Sequence, residues 1–189
     1  WLLSGCLLIF IMVISGGITR LTHSGLSMVN WNLFMGAIPP LNEVEWQEIF
    51  NLYKQSPEFQ KVNFNYTLSE FKSIFFWEYL HRMIGRLLGL VFIIPFILFL
   101  ILGKLNKKLI KQSIVLFVLG GTQGAIGWWM VKSGLVNNPD VSHFRLAIHL
   151  IIAFLTCAFA FWVALPIIYP GKREGNNKLL KLTSWLFIL

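Results

Sequence analysis

Five stretches of this chain are almost wholly apolar, and its polar residues gather between them. The first runs to about Gly17, the second from about Ile74 to Leu102, and the third from about Leu109 to Val131. The fourth runs from about Phe144 to Tyr169, and a fifth starts near Leu179. A helix needs about 20 apolar residues to cross the hydrocarbon core of a bilayer. Backbone amides in lipid find partners only within their own segment, so each stretch predicts a helix. Short connections join the second to the third and the fourth to the fifth. The first four therefore predict an all-α integral membrane protein, an antiparallel four-helix transmembrane bundle. Pro95 and Pro166 predict kinks in its second and fourth helices.

The connection from Ile18 to Ser73 is too long to be structureless. After Pro39, Pro40 and Leu41, Asn42 with Glu45 three residues on has the pattern of a capping box. Trp46, Ile49, Phe50 and Tyr53 then recur at helical spacing, one apolar stripe with acids on the other face. This predicts a short amphipathic helix lying on the bundle or in the interface. Thr67 and Glu70 offer a second capping box, so the second long helix is expected to start before the membrane. Phe75, Phe76 and Trp77 mark its entry at the interfacial aromatic belt. Two units follow: residues 1–170, the bundle with its 18–73 loop, and residues 171–189, a connection and the start of a fifth helix. The chain opens at Trp1 without an initiator methionine and stops at Leu189 inside an apolar run, so it reads as a piece of a longer protein.

Composition sharpens the class. The 189 residues are 56% apolar and 13% charged, with a mean hydropathy of +0.68. A soluble domain carries about a quarter charged residues. A soluble enzyme, a disordered chain and a disulfide scaffold are all excluded. Cys6 and Cys157 each lie inside an apolar run and read as small buried residues, with no disulfide framework to draw.

The net charge of +8 would suit nucleic acid, but its distribution does not. Lys104, Lys107, Lys108 and Lys111 share one short connection, and Lys172, Arg173, Lys178 and Lys181 share another. Basic connections at one end of a bundle mark the cytoplasmic or matrix side. The segment from Arg20 to Lys72 is nearly balanced and belongs on the outer side. No basic surface interleaved with aromatics is present, so no nucleic-acid partner is expected.

Polar side chains inside an apolar bundle are costly, and each asks for a reason. The second stretch carries Glu78, His81, Arg82 and Arg86, the third Gln123, and the fourth Arg145 and His149. His81 lies about four residues past the aromatic entry of the second helix and His149 about five past the start of the fourth. Both helices run inward from the outer side. Two imidazoles level across a bundle suit axial ligation of one haem iron. Gly85 and Gly89 follow His81 on its own face, and Gly120, Gly124 and Gly127 line the third helix. Such residues either let helices approach closely or leave a slot for a macrocycle. Glu78 has three readings: an acceptor orienting His81, an acid–base group, or an ion-pair partner of Arg82. Arg82, Arg86 and Arg145 are candidate partners for carboxylates such as haem propionates. His23 and His143 read as solvated or interfacial. No zinc spacing, P-loop, dinucleotide turn or nucleophile elbow occurs.

One family shares these residues. Gly16-Gly17-Ile18-Thr19-Arg20-Leu21-Thr22, Ser24-Gly25-Leu26-Ser27-Met28 and Trp31 resemble haem A synthase. So do Pro39-Pro40-Leu41, Glu45-Trp46 and Pro57-Glu58-Phe59. The densest likeness is Glu70-Phe71-Lys72 with Phe75-Phe76-Trp77-Glu78-Tyr79-Leu80-His81-Arg82. Gly120-Gly121-Thr122-Gln123-Gly124, Gly127-Trp128-Trp129-Met130-Val131 and Arg145-Leu146-Ala147-Ile148-His149-Leu150 complete it. The chain resembles most the mitochondrial and α-proteobacterial branch. Other bacterial members carry a cysteine pair in the first outer loop, and this chain has none there.

The resemblance implies an eight-helix protein of two four-helix halves, each with a histidine pair, of which this chain holds the first. It implies oxidation of the C8 methyl of haem O to a formyl, giving haem A for cytochrome oxidase. Glu78 would be the catalytic residue and His81 and His149 the axial ligands of the substrate haem. Arg82, Arg145 and Gln123 would be propionate or supporting partners. Haem b would be held by the other half. An electron-donor protein, a haem O synthase and a second copy of the chain are expected partners, in a bacterial or mitochondrial inner membrane. The alternative is a bis-histidine membrane cytochrome of the b type that only carries electrons.

Overall fold

The computed structural model describes residues 1–29, 35–136 and 139–169. Among them are six helices: α1 (Leu2–Leu21), α2 (Glu43–Tyr53), α3 (Pro57–Lys61), α4 (Leu68–Ile101), α5 (Lys107–Gly134) and α6 (His143–Ile168). A short 3₁₀ turn spans Met35–Ala37. The described residues contain no strand. The expected fifth stretch from Leu179 and the basic run from Lys172 to Lys181 lie outside the described residues, as does Trp31.

Helices α1, α4, α5 and α6 are each long and apolar enough to cross a membrane, which makes this a membrane protein. They form the expected antiparallel bundle. Helix α1 packs against α4 and α6, and α6 against α5, while α4 and α5 touch only lightly. The ring of four is therefore tight on three sides and loose on the fourth. Leu87, Leu90, Ile94 and Leu98 of α4 are exposed. In a bilayer such side chains are solvated by lipid tails and need no protein partner.

Boundaries follow local chemistry. Helix α1 runs one turn past Gly17, where the hydroxyls of Thr19 and Thr22 donate to the carbonyls of Gly16 and Ile18 at 2.8 and 2.7 Å. The Thr67–Glu70 capping box forms in full and starts α4 before its apolar run. At α2, Asn42 accepts from the Glu45 amide at 2.9 Å. The Glu45 carboxylate, however, takes the Leu41 amide and the Asn42 side chain instead of the N-cap amide. Both α4 and α6 continue through their prolines, Pro95 and Pro166.

The stripe predicted on α2 does pack. Trp46 and Phe50 meet Phe71 and Phe75 on the first turns of α4, with ring centroids 5.1 to 6.4 Å apart. Tyr53 stacks on Phe71 at 4.9 Å, and neither is more than 1% exposed. Helix α3, which no stripe announced, closes the cluster through Phe59. Its start signal is local: Ser56 caps the Phe59 amide at 3.2 Å, and Pro57 sits where its missing N–H costs nothing. Lys72 bonds Glu43 at 2.9 Å, and the Tyr79 hydroxyl donates to the Ala37 carbonyl at 2.7 Å. These ties hold a cap of α2 and α3 over one end of the bundle. At the far end Leu2, Leu116, Ala160, Val163 and Ala164 form a second, smaller core.

Candidate functional site

Helices α4 and α6 both run from the capped end into the bundle, and each carries one histidine. His149 stands six residues into α6, and Ser15 six residues before the end of α1. At a helical rise of about 1.5 Å per residue, both lie about 9 Å below the capped ends of their helices. His81 sits at the level of Ser15, because its Nδ1 bonds the Ser15 hydroxyl at 2.8 Å. The two imidazoles are thus level, on helices that lie diagonally across the ring, and within electrostatic reach of each other.

Both rings fit against a glycine of the neighbouring helix. A Cβ at Gly16 would stand 3.2 Å from His81 Cε1, and one at Gly127 would stand 3.5 Å from His149 Cε1. Their hydrogen bonds differ. The Ser15 hydroxyl has one proton and donates it to the Met12 carbonyl at 3.1 Å. With that proton kept on Met12, the hydroxyl accepts from His81 Nδ1–H, the tautomer in which Nε2 carries the ring's lone pair. His149 Nδ1 is buried and has no hydrogen-bond partner among the described residues. Gln123 donates to the His149 backbone carbonyl at 3.0 Å, so it fixes the helix and not the ring.

Glu78 does not orient His81; Ser15 does. The i+3 spacing put the carboxylate and imidazole on one face, but the nearer donors lie elsewhere. Glu78 is 4% exposed, and its Oε2 accepts from the Ser27 hydroxyl at 2.7 Å and the Met28 amide at 2.8 Å. Its Oε1 pairs with Arg82, the ion pair expected from the i+4 spacing. Arg82 also reaches the Met28 carbonyl at 3.4 Å. A buried carboxylate with its counter-charge and two further donors is a satisfied one. Arg82 thus spends its Nη2 on Glu78 and Met28.

The other candidates separate. Arg145 donates to the Trp129 carbonyl at 3.2 Å and lies over the Trp129 ring at 4.1 Å. It lines a cleft of about 300 Å³ at the capped end with Asp140, Ser142 and His143. Arg86 contacts the Met83 sulfur at 3.6 Å. His23 is exposed, and His143 meets Arg20 at 3.4 Å at the mouth of α6. Gly89, Gly120 and Gly124 are uncrowded: an added Cβ would meet nothing within 4 Å. Of the two roles open to these glycines, close approach of helices is not what they serve. Cys6 and Cys157 face each other across α1 and α6, each thiol 3.7 to 3.8 Å from the other's carbonyl oxygen, and both are free.

Four apolar spans, a cap at one end and two level histidines beneath it define a histidine-bearing helical membrane bundle. The chain belongs to the COX15-CtaA family, described as cytochrome oxidase assembly protein, which it matches over residues 1–189. It is 57% identical over 176 residues to the haem A synthase of Flavobacterium psychrophilum, covering 92% of this chain and 52% of that protein. It is 48% identical over 189 residues to the haem A synthase of Paramagnetospirillum magneticum, covering 98% and 53%. With that of Bradyrhizobium diazoefficiens it shares 49% over 194 residues, covering 100% and 54%. The chain spans about half the length of the curated relatives it matches. No solved structure matches it.

Proposed function

We propose that this chain is the haem O-holding half of a haem A synthase, with His81 and His149 as axial ligands and Glu78 managing protons beside the substrate. The observation that carries the reading is the pair of level imidazoles. One has Nε2 left as a lone pair by its bond to Ser15, and the other has a buried nitrogen without a partner among the described residues. Haem iron takes neutral imidazole nitrogen axially, and a buried polar atom left unpaired points to a group outside the chain. Uncrowded glycines on α4 and α5 and the light contact between those helices leave room beside the pair. The residues present fit an iron porphyrin.

The bound iron would supply the oxidising chemistry that carries the C8 methyl of haem O to the formyl of haem A. The chain's own part is position and charge. Ser15 holds the His81 ring in the tautomer that presents Nε2, and Gly16 and Gly127 let both rings lie flat against their neighbours. Carrying a methyl to a formyl takes two hydrogens from the carbon, and Glu78 is the buried acid closest in sequence to a ligand. Arg145, at the cleft one turn above His149, is the guanidinium placed to meet a propionate.

The rest of the protein belongs to the same proposal. Residues 1–170 form the first four-helix half, and 171–189 lead into a second half that holds haem b. The capped end faces the periplasm or intermembrane space of an inner membrane, since Lys104, Lys107, Lys108 and Lys111 sit at the far end. A haem O synthase supplies the substrate, an electron-donor protein serves the reaction, and the protein self-associates. A carrier of electrons alone would want a second histidine pair near the far end, and the described parts of α4 and α6 hold none there. Full-length protein in nanodiscs, loaded with haem O, is expected to yield formyl product. His81→Ala or His149→Ala should abolish haem O binding at this half, and unchanged occupancy in both variants would refute the assignment.

A further inference from the structure

Two acids are buried in this half, one in the cap and one just above the histidine level, and they are surrounded differently. Glu78 has a guanidinium and two donors. Glu58, on α3, is 5% exposed, and its one hydrogen bond is from the Tyr53 hydroxyl at 3.1 Å. Tyr53 is fully buried and in turn accepts from the Asn63 amide at 2.8 Å. Among the described residues Glu58 forms no ion pair. A carboxylate removed from water with a single neutral donor is poorly compensated as an anion, so it favours its protonated form.

The two acids also share a wall. Tyr53, Phe50, Phe71, Ile74, Phe75 and Met28 form one buried cluster. Tyr53 carries the bond to Glu58, and the Met28 amide carries the bond to Glu78. The titratable and charged groups around Glu58 are Tyr53 and Lys54 on α2, Lys61 on its own helix, Tyr66 just after it, and Glu78 with Arg82 on α4. Lys54 is turned over the Phe50 ring at 4.4 Å, and Lys61 is exposed. Burial pushes the Glu58 carboxyl up to about 7; the Tyr53 hydroxyl bond opposes this, and the negative charge of Glu78 adds to it.

We propose that Glu58 is a second working acid of this site, a carboxyl in the cap that exchanges its proton with the solution at the capped end and whose charge is coupled to that of Glu78. The proton leaves Glu58 for water as the carboxylate forms, and the like charge at Glu78 resists that departure. Glu58 acts through Glu78 and not on the substrate, so it is a positioning residue. This rests on the role given to Glu78 above, but its test needs no haem.

Infrared spectra of the full-length protein in nanodiscs, recorded against pH, read the carbonyl band of a protonated carboxyl directly. The wild type is expected to lose such a band with a midpoint near 7, and Glu58→Gln to lack it. Glu78→Gln should move the midpoint down by about one pH unit, because the opposing charge is gone. Tyr53→Phe removes the bond that favours the carboxylate and should move it up. A band that persists in Glu58→Gln, or a midpoint that ignores Glu78→Gln, would overturn the proposal. Failure of haem O oxidation with the infrared pattern intact would instead count against the assigned reaction and leave the coupled acids standing.

Discussion

The cap and the histidine level lie about three turns apart along α4, and they are built by opposite rules. In the cap, rings from α2, α3 and α4 close on one another until Tyr53 and Phe71 are 0% and 1% exposed. Soluble proteins make cores that way, and the hydrophobic gain belongs to the chain itself. At the histidine level the buried groups are polar: Ser15, Glu78 and the Nδ1 of His149. Further down the bundle, an added Cβ at Gly89, Gly120 or Gly124 would meet nothing within 4 Å. The cap is satisfied by its own side chains, whereas the level beneath it has a nitrogen without a partner among the described residues. Stability and ligand binding are therefore expected to respond to different mutations.

The largest separation is expected at Glu78. Glu78→Gln keeps the donors and volume of the site but not its charge, so haem O occupancy should hold while turnover falls by about 10²-fold or more. Full turnover in that variant would leave Glu78 only a structural tie between α4 and the Ser27–Met28 segment. Phe71→Ala attacks the other side of the comparison. Emptying a fully enclosed ring site costs about 3–5 kcal/mol, read as easier proteolysis of α2 and α3 and a lower melting temperature. Haem O binding should survive; its loss would mean that cap and site fold as one unit.

Protonation of Glu58 gives a third, somewhat smaller effect. Its carboxyl is pushed from 4.5 up to about 7, chiefly by burial. The unfolded chain therefore releases this proton before the folded one does. The cap gains stability below 4.5 and loses it as pH rises to about 7, by roughly 3 kcal/mol in all. Hydrogen exchange of α2 and α3 should quicken over that range and stay level in Glu58→Gln. The smallest effect is at Ser15: losing the group that orients a ligand costs roughly tenfold to a hundredfold in affinity. Ser15→Ala should weaken haem O binding by that factor, measured by titration, and leave the cap untouched.

The spans and the cap helix could be read because they rest on period and length. A run of about 20 apolar residues or a stripe at Trp46, Ile49, Phe50 and Tyr53 has few alternative solutions. Helix α3 escaped that reading because five residues carry no period; the Ser56–Pro57 start was its only signal. Glu58 stands out in the sequence only within the Pro57-Glu58-Phe59 likeness, since its burial depends on contacts with α2. Spacing along one helix offered the Glu78–Arg82 pair as one of three readings, since both lie on α4. Spacing could not reveal that Ser15, on another helix, would hold His81, nor that Gly16 and Gly127 would receive the two rings. Contacts between helices depend on rotation about each axis, which the apolar pattern of a lipid-facing helix barely constrains. The facing of Cys6 and Cys157 was invisible for the same reason.

Near-infrared magnetic circular dichroism of haem O bound to the full-length protein reports which atoms ligate its iron. If His81 and His149 share one iron, the wild type gives a bis-imidazole band. His81→Met and His149→Met should then each convert it to the band of an imidazole–thioether pair. A bis-imidazole band that survives either substitution would contradict the shared iron, and with it the reading of this bundle as a haem site.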